Sequence, residues 1–435
     1  MSHLYIAHSA ADMDALLELH EALRNDGVPV SYDARVGGQE ADRDAVETEI
    51  ESAFALLVLI SQDGVRSKTV RHDVEHARVR GIPVIGYRID KARLGGYFKS
   101  ALVRSEVFHS SEEDGLLRLL EATKSAYKRR CPVVAIMNLK GGIGKTTVSG
   151  QVFGAYQAER ANRVLLVDLD PQYNLSQTFF DMEKADESAA IDRSVISLFE
   201  LSRIHNPSAP SPAEDWNRLS SEPFSPAPRM ELAHRLLPEA VLPGRLDLIS
   251  GQFEISKYAF ATDAAALGAI KVNFLRMLDH YRSEYDLIVF DTNPNATFLT
   301  RCALAAADRI IAPMHPDVYS LRGVRLLNQV MHTQVAESER PQLSVLFNGV
   351  SRSEQSTFEA DVRTGVLDSK AGFALSEVVL ERTVPRSGHL VVKTPEPGAQ
   401  AWEQLVVHRG RGGGLRQVRE TLKNVALEID QVLAV

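Results

Sequence analysis

The sequence predicts an α/β protein made of two successive units, each built on a mostly parallel sheet. Three observations carry this. Short β-rich runs alternate with helical stretches along most of the chain. The runs are apolar at nearly every position rather than at every second one, as in strands covered on both faces. The alternation restarts near residue 129, directly behind a helix and with almost no linker.

In the first unit, residues 1–128, the strand runs are "HLYIAHS" (His3–Ser9), "PVSYD" (Pro29–Asp33), "FALLVLIS" (Phe54–Ser61) and "IPVIGYRI" (Ile82–Ile89). Asp12–Asn25 between the first two sets Leu16, Leu17, Leu19 and Leu23 on one apolar stripe of a helix. A helix near Glu112–Lys128 closes the unit. In the second, residues 129–435, the runs are "PVVAIMN", "RVLLVDLD", "LDLIS", "YDLIVFDT", "RIIAPMH" and "LSVLFNGV", spaced widely enough for crossover helices. The stretch 202–244, rich in Pro and Ser, interrupts this series and reads as an excursion or mobile loop. The final helix repeats Leu415, Val418, Leu422, Val425, Ile429 and Leu433 at helical spacing. Its opposite face mixes acidic with basic residues, so it is expected to pack on the core rather than lie on a membrane.

Composition narrows the function classes. At 44% hydrophobic and 24% charged the chain reads as soluble and globular. A net charge of −8 excludes general attraction to nucleic acid, so any DNA contact must be a local patch. Two cysteines, Cys131 and Cys302, provide no disulfide framework. With no leader pattern and no apolar run of membrane-spanning length, a cytoplasmic protein is expected.

The most specific segment is "NLKGGIGKTT", Asn138–Thr147, between a strand and a helix. Gly141, Gly142 and Gly144 let the backbone of the loop, with Ile143, close around phosphate with its amide hydrogens inward. Lys145 supplies a point charge to the outer phosphates, the Thr146 hydroxyl can ligate Mg2+, and Thr147 continues into the helix. A second lysine, Lys140, stands at the front of the loop, where one lysine is the ordinary requirement. The string from Lys140 to Thr147 resembles the deviant Walker A motif of the ParA/MinD ATPases. In that family the front lysine reaches the partner's nucleotide, which implies that Lys140 joins ATP binding to dimerisation.

The resemblance extends over Pro132–Val435. "VLLVDLDPQYNLS" looks like the family's second motif, which implies that Asp170 positions or activates the attacking water and Asp168 lies near the metal. Strand carboxyl ends are where open α/β sheets bind ligands. "YDLIVFDTNP" looks like Walker B, implying that Asp291 holds Mg2+ through water, although Asn293 replaces the usual proline. Asn348, closing "LSVLFNGV", is either a reader of the adenine edge or a turn former. Arg409, Arg411, Arg416 and Arg419 in "VVHRGRGGGLRQVRE" offer DNA phosphates a contact, or form a solvated loop.

The first unit resembles a TIR domain, which implies a flavodoxin-like fold, over Met1–Tyr127. The segments that carry this are "YIAHSAAD" with Ser9, "YDARVGGQEAD", and "LLVLISQDGVRSKTVRHDVEHARVRGIPVIGYRI". Enzymatic TIR domains cleave NAD with a glutamate four residues after a tryptophan. Thr69 and Asp73 occupy those positions here, and Glu75 is two further on. Residues two apart on a helix point about 200° apart, so Glu75 does not substitute for residue 73. Asp73 is also a methylene shorter than the family's glutamate.

The combined expectation is an ATP- and Mg2+-dependent dimerising switch that positions or recruits DNA or a protein cargo through an adaptor, with a TIR domain for assembly or signalling. The alternative is an immune or signalling effector in which the ATPase controls clustering of an NAD-cleaving TIR domain. A third reading, a scaffold in which both domains only oligomerise, does not account for Lys145, Asp170 and Asp291 together.

Overall fold

Most of the apolar runs do become buried parallel strands; the exception is the run Pro29–Asp33, whose strand Val30–Tyr32 at the sheet edge is half-buried at all three residues. The computed structural model describes residues 3–33, 43–80, 82–103, 105–181, 192–224, 232–237, 244–282, 284–351, 357–391, 394–409 and 412–433. The chain divides into two compact units, Met1–Cys131 with Asp279–Glu284, and Pro132–Leu278 with Tyr285–Val435.

The first unit holds five strands, β1 (Leu4–Ala7), β2 (Val30–Tyr32), β3 (Ala55–Ile60), β4 (Val84–Arg88) and β5 (Val107–His109), in the order β2-β1-β3-β4-β5. All pairings are parallel. β3, "ALLVLI", is buried at every residue because helices cover both faces. β5 escapes the sequence reading because three residues carry no periodic signal. In the helix Met13–Asn25, Leu16, Leu19 and Leu23 are buried while Leu17 is exposed. One residue beyond Leu16 is about 100° round the helix, off the stripe. The loop segment "YDARVGGQEAD" lies mostly outside the described residues.

The second unit is an eight-stranded sheet ordered β13-β12-β11-β6-β10-β7-β9-β8. Its strands are β6 (Val133–Ile136), β7 (Arg163–Leu169), β8 (His234–Arg235), β9 (Arg245–Ile249), β10 (Leu287–Thr292), β11 (Arg309–Met314), β12 (Gln342–Val350) and β13 (Val384–Pro385). Only β8 runs antiparallel, pairing with β9. The two-residue strands β8 and β13 are those the sequence did not reveal. The chain leaves β6 at the sheet's centre, and the first turn it makes is the glycine loop. β6 pairs with β10 on one side and β11 on the other, and β7 pairs with β10. The carboxyl ends that carry Asp291 and Asp168 are therefore next to the loop. In the helix Gly413–Leu433, Leu415, Val418, Leu422, Val425 and Ile429 are buried in this unit's core, with Leu433 partly buried against it.

Of the stretch read as an excursion or mobile loop, the part 202–224 is an excursion tied to its surroundings. Asp192 accepts from Arg203 N at 3.0 Å and from the Ser211 hydroxyl. Glu200 and Lys257 form an ion pair at 2.7 Å with both side chains out of water. Tyr258 Oη and Ser220 N also donate to Glu200, at 2.8 and 2.6 Å. Lys257 Nζ donates in addition to Pro212 O and Arg218 O, at 2.9 and 3.0 Å. Proline and serine suggested looseness; the buried charges that fix the segment lie outside the biased stretch, so composition did not show them. Residues 225–231 and 238–243 of that stretch lie outside the described residues.

Removing one member of a buried pair strands the other charge, at about 3–5 kcal/mol. Lys257→Met is expected to destabilise by that amount, and Lys257→Met with Glu200→Gln by clearly less. Urea denaturation followed by tryptophan fluorescence measures both; equal losses would mean that the pair is not coupled.

Candidate functional site

The loop's shape is set by backbone that only glycine adopts readily. Gly142 and Gly144 have φ of +71° and +79°. A Cβ on Gly144 would also meet Asn348 Nδ2 at 2.2 Å, so that position is excluded to side chains twice over. The helix that follows begins at Lys145 and passes through a π-type turn, Val148–Val152. Ser149, three residues beyond Thr146, lies on the same side of the helix.

Three acids meet there. Asp291 and Asp168 are directly opposite each other in the β10–β7 register. Both are buried. Thr146 Oγ1 donates to Asp291 Oδ2 at 2.8 Å and Ser149 Oγ to Asp291 Oδ1 at 2.9 Å. Ser176 donates to Asp168 Oδ2 through its backbone N at 2.9 Å and its hydroxyl at 2.8 Å. Asp170 accepts from Gln172 N at 2.9 Å. Burial, and then the facing Asp291, push Asp168 well above the carboxylate range. Burial likewise raises Asp291 against the hydrogen bonds from Thr146 and Ser149. Burial raises Asp170 too, less the effect of its Gln172 bond and of Lys145. Lys145 is itself buried, which lowers its pKa against the attraction of Asp291 and Asp170.

The described donors are carboxylate and hydroxyl oxygens, the set that Mg2+ takes. Crowded buried carboxylates are also what a bound cation stabilises. Among the described residues no group of three His, Cys, Asp or Glu is placed to hold a metal unaided. The arrangement fits an ion that shares its shell with phosphate and water. A cavity of about 750 Å³ opens here, lined among others by Gly141–Thr146, Asp170, Asn293, Ile255, Ser256 and Tyr258–Phe260.

Lys140 does not point freely outward. Its Nζ donates to Asp317 Oδ1 at 3.1 Å, Asp317 Oδ2 at 3.2 Å and Ser320 Oγ at 3.0 Å. Asp317 also caps the helix Val318–Gln334 by accepting from Ser320 N. Burial pushes Asp317 up, but the bonds from Ser320 N, Lys140 and the Ser320 hydroxyl together with the Lys140 charge outweigh it and hold the carboxyl below its ordinary value. Lys145 turns the other way, its Nζ 3.4 Å from Lys140 O. Asn348 is spent on the loop: its amide nitrogen donates to Ile143 O at 2.7 Å. His315 lies between Asn348 O at 2.6 Å and Gly142 O at 3.3 Å. Sequence reading missed Ser149, His315 and Asp317. The signal for Ser149 was its helical spacing from Lys145, and for Asp317 an aspartate three residues before Ser320 at a helix start.

In the first unit the three candidates are engaged separately. Ser9 Oγ donates to the buried Asp12 at 2.6 Å, as does Ser61 Oγ at 2.7 Å. Asp73 is buried and pairs with Arg43 at 3.2 Å, while Glu75 is exposed on the other side of the helix Lys68–Val79. In the tail, Arg409 donates to the carbonyls of Glu403, His389 and Gln404, and Arg419 to Val406 O at 2.9 Å. Those two guanidinium groups serve the fold; Arg416 is exposed, and Arg411 lies outside the described residues. No helix among the described residues is long and apolar enough to cross a membrane.

Comparison with known proteins bears on both units. A TIR domain model matches residues 4–120 and an AAA domain model residues 131–345. A putative replication protein A of Sinorhizobium fredii is 31% identical over 193 residues, covering 43% of this chain and 40% of that protein. The chain thus spans less than half of that relative's length. The chromosome-partitioning ATPase Soj of Thermus thermophilus is 28% identical over 280 residues, covering 62% of this chain and 92% of Soj. The solved structure of pNOB8 ParA, 19% identical, covers 69% of this chain and 98% of its own with a TM-score of 0.49.

Burial outweighs Arg43 and His72 at Asp73 and raises its pKa from the ordinary 3.8 to about 6, with Asp33 adding slightly. Unfolding lets this acid ionise earlier, so its contribution to stability falls as pH rises from about 4 to about 6. The full difference is about 3 kcal/mol. Asp73→Asn is therefore expected to gain on the wild type across that window, as followed by calorimetry of the full chain. A difference between the two proteins that stays flat with pH would show Arg43 to neutralise the acid fully.

Proposed function

We propose that this chain, a TIR domain followed by a ParA/MinD-type P-loop domain, is a switch that dimerises on ATP and opens on its hydrolysis. Soj of Thermus thermophilus is named a chromosome-partitioning ATPase, and positioning or recruitment of a cargo is the corresponding role here. The reading is carried by one observation: Lys145, Thr146, Asp168, Asp170 and Asp291 converge on one glycine loop at the carboxyl ends of β6, β7 and β10.

Gly141–Thr147 would enclose the phosphates with backbone amides, and Lys145 would neutralise the outer ones. Thr146 and Asp291 would hold Mg2+, with Asp168 beside them, and the ion would screen charge on the phosphates. Asp170, at the rim of the cavity and fixed by Gln172 N, would orient the attacking water. Lys140 would leave Asp317 and Ser320 for the partner's phosphates, exchanging one anionic contact for another of higher charge. Asn348 would act by fixing the loop through Ile143 O. The TIR unit would serve assembly or signalling, because Asp73 is occupied by Arg43 and Glu75 faces away from it.

Lys145→Ala is expected to abolish binding of a fluorescent ATP analogue. Asp170→Ala should keep binding within a few-fold and lower hydrolysis by about a hundredfold or more. Phosphate release by Asp170→Ala at the wild-type rate would remove that residue from the mechanism. Lys140→Ala should bind ATP yet fail to dimerise in light scattering with a slowly hydrolysed analogue; undiminished dimerisation would leave Lys140 as a partner of Asp317 only. The purified chain is expected to leave NAD intact with or without ATP. Rapid NAD loss that Asp73→Ala stops would favour the effector reading.

A further inference from the structure

Three large aromatic side chains stand in water together beside the cavity. Trp216, Phe253 and Phe260 are 39%, 49% and 77% exposed. The Trp216 ring lies 5.5 Å from that of Phe253 and 6.5 Å from that of Phe260. Isolated exposed apolar residues are ordinary, but a contiguous aromatic patch marks an interaction surface. Phe260 also lines the cavity beside the glycine loop.

The patch is preset rather than floppy. Pro212 O and Arg218 O, which bracket Trp216 in the chain, both accept from Lys257 Nζ. Phe253 and Lys257 belong to one short helical segment, Phe253–Ala259, with Phe260 next to it. One buried ammonium, itself fixed by Glu200, thus holds the two pieces of chain that form the patch. Binding loses little conformational freedom on a surface ordered in advance, and Trp is the residue type most often found at the energetic centre of interfaces.

We propose that Trp216, Phe253 and Phe260 form the apolar anchor of a self-association surface, buried when a second copy of this chain covers the mouth of the nucleotide cavity. This rests on the dimer reading above. A partner's Lys140 that reaches phosphates through the mouth brings its own surroundings against Phe260. Beside the charged Asp317 and Arg322, those surroundings hold exposed apolar area as well: Tyr319, 70% exposed with its ring 5.9 Å from Lys140 Nζ, and Val318, 49% exposed. A two-fold contact presents each surface twice, so an aromatic rim on one copy meets an apolar one on the other. The stretch 202–224 then serves as part of the dimer face.

The chain has two tryptophans, Trp216 and Trp402, so Trp402→Phe in the full-length protein leaves Trp216 as its only indole. With Mg2+ and a slowly hydrolysed ATP analogue, Trp216 emission should shift to the blue and become shielded from acrylamide. Both changes should track protein concentration together with the dimer seen by light scattering. Phe253→Asp, outside the cavity lining, should raise the dimer dissociation constant by about tenfold or more. Dimers that leave Trp216 emission unchanged, or form equally well with Phe253→Asp, would overturn this surface while leaving the dimer reading intact. A wild type that stays monomeric with the analogue at every concentration would overturn both.

Discussion

Two like charges that cannot both be solvated govern the second unit. Parallel pairing in register sets Asp168 and Asp291 opposite one another on β7 and β10, sealed from water. An isolated pair of this kind would protonate or expel a strand end. The surrounding groups answer that demand. Hydroxyls of Thr146, Ser149 and Ser176 face the two acids, and Lys145 is drawn inward at the expense of its own hydration. Ser149 lies three residues beyond Thr146, a spacing that puts both hydroxyls on one helix face toward Asp291. The site is thus short of positive charge beside a loop full of amide donors, the condition under which a cation and a polyphosphate bind together.

The same economy of charge explains the two lysines. They flank the glycines, and the loop turns their ammonium groups to opposite sides. Lys145 faces the acids; Lys140 faces the capped start of the helix Val318–Gln334. The half-exposed contact with Asp317 is worth little net energy, because water screens it and competes for both partners. It can therefore be exchanged for phosphate without a large penalty, whereas a deeply buried pair such as Glu200 with Lys257 could not. Asn348 and His315 fasten the loop to the ends of β12 and β11, and Lys145, not Lys140, lines the cavity.

Much of this was legible in the sequence. Unbroken apolar runs gave the six longer strands of the second unit, and the glycine loop followed from a strand, a turn and a helix in order. Asp168, Asp170 and Asp291 were singled out by the resemblance of their segments to ParA/MinD motifs, and the sheet does set Asp168 opposite Asp291. What stayed hidden depends on contacts between residues far apart in the chain. Lys140 with Asp317, Asn348 with Ile143 and Glu200 with Lys257 are separated by scores of residues, and no local pattern announces them. Two- and three-residue strands such as β5, β8 and β13 exist only because a neighbouring strand offers hydrogen bonds. Within 202–244, read as an excursion or mobile loop, the part 202–224 is an anchored one: composition reports average solvation, whereas the buried Lys257 ammonium binds carbonyls of that part directly.

The first unit shows how position along a helix decides what a carboxylate can do. On Lys68–Val79, residue 73 falls on the stripe that contains Val70, Val74 and Ala77, all buried. A carboxylate there loses its water and takes Arg43 as a substitute, which fixes its direction. Glu75, about 200° further round, keeps its water and its freedom. The Ser9 hydroxyl is committed to Asp12, which Ser61 also satisfies. Ser9 and Ser61 thus tie the ends of β1 and β3 together through Asp12, while Asp73 and Arg43 join two helices.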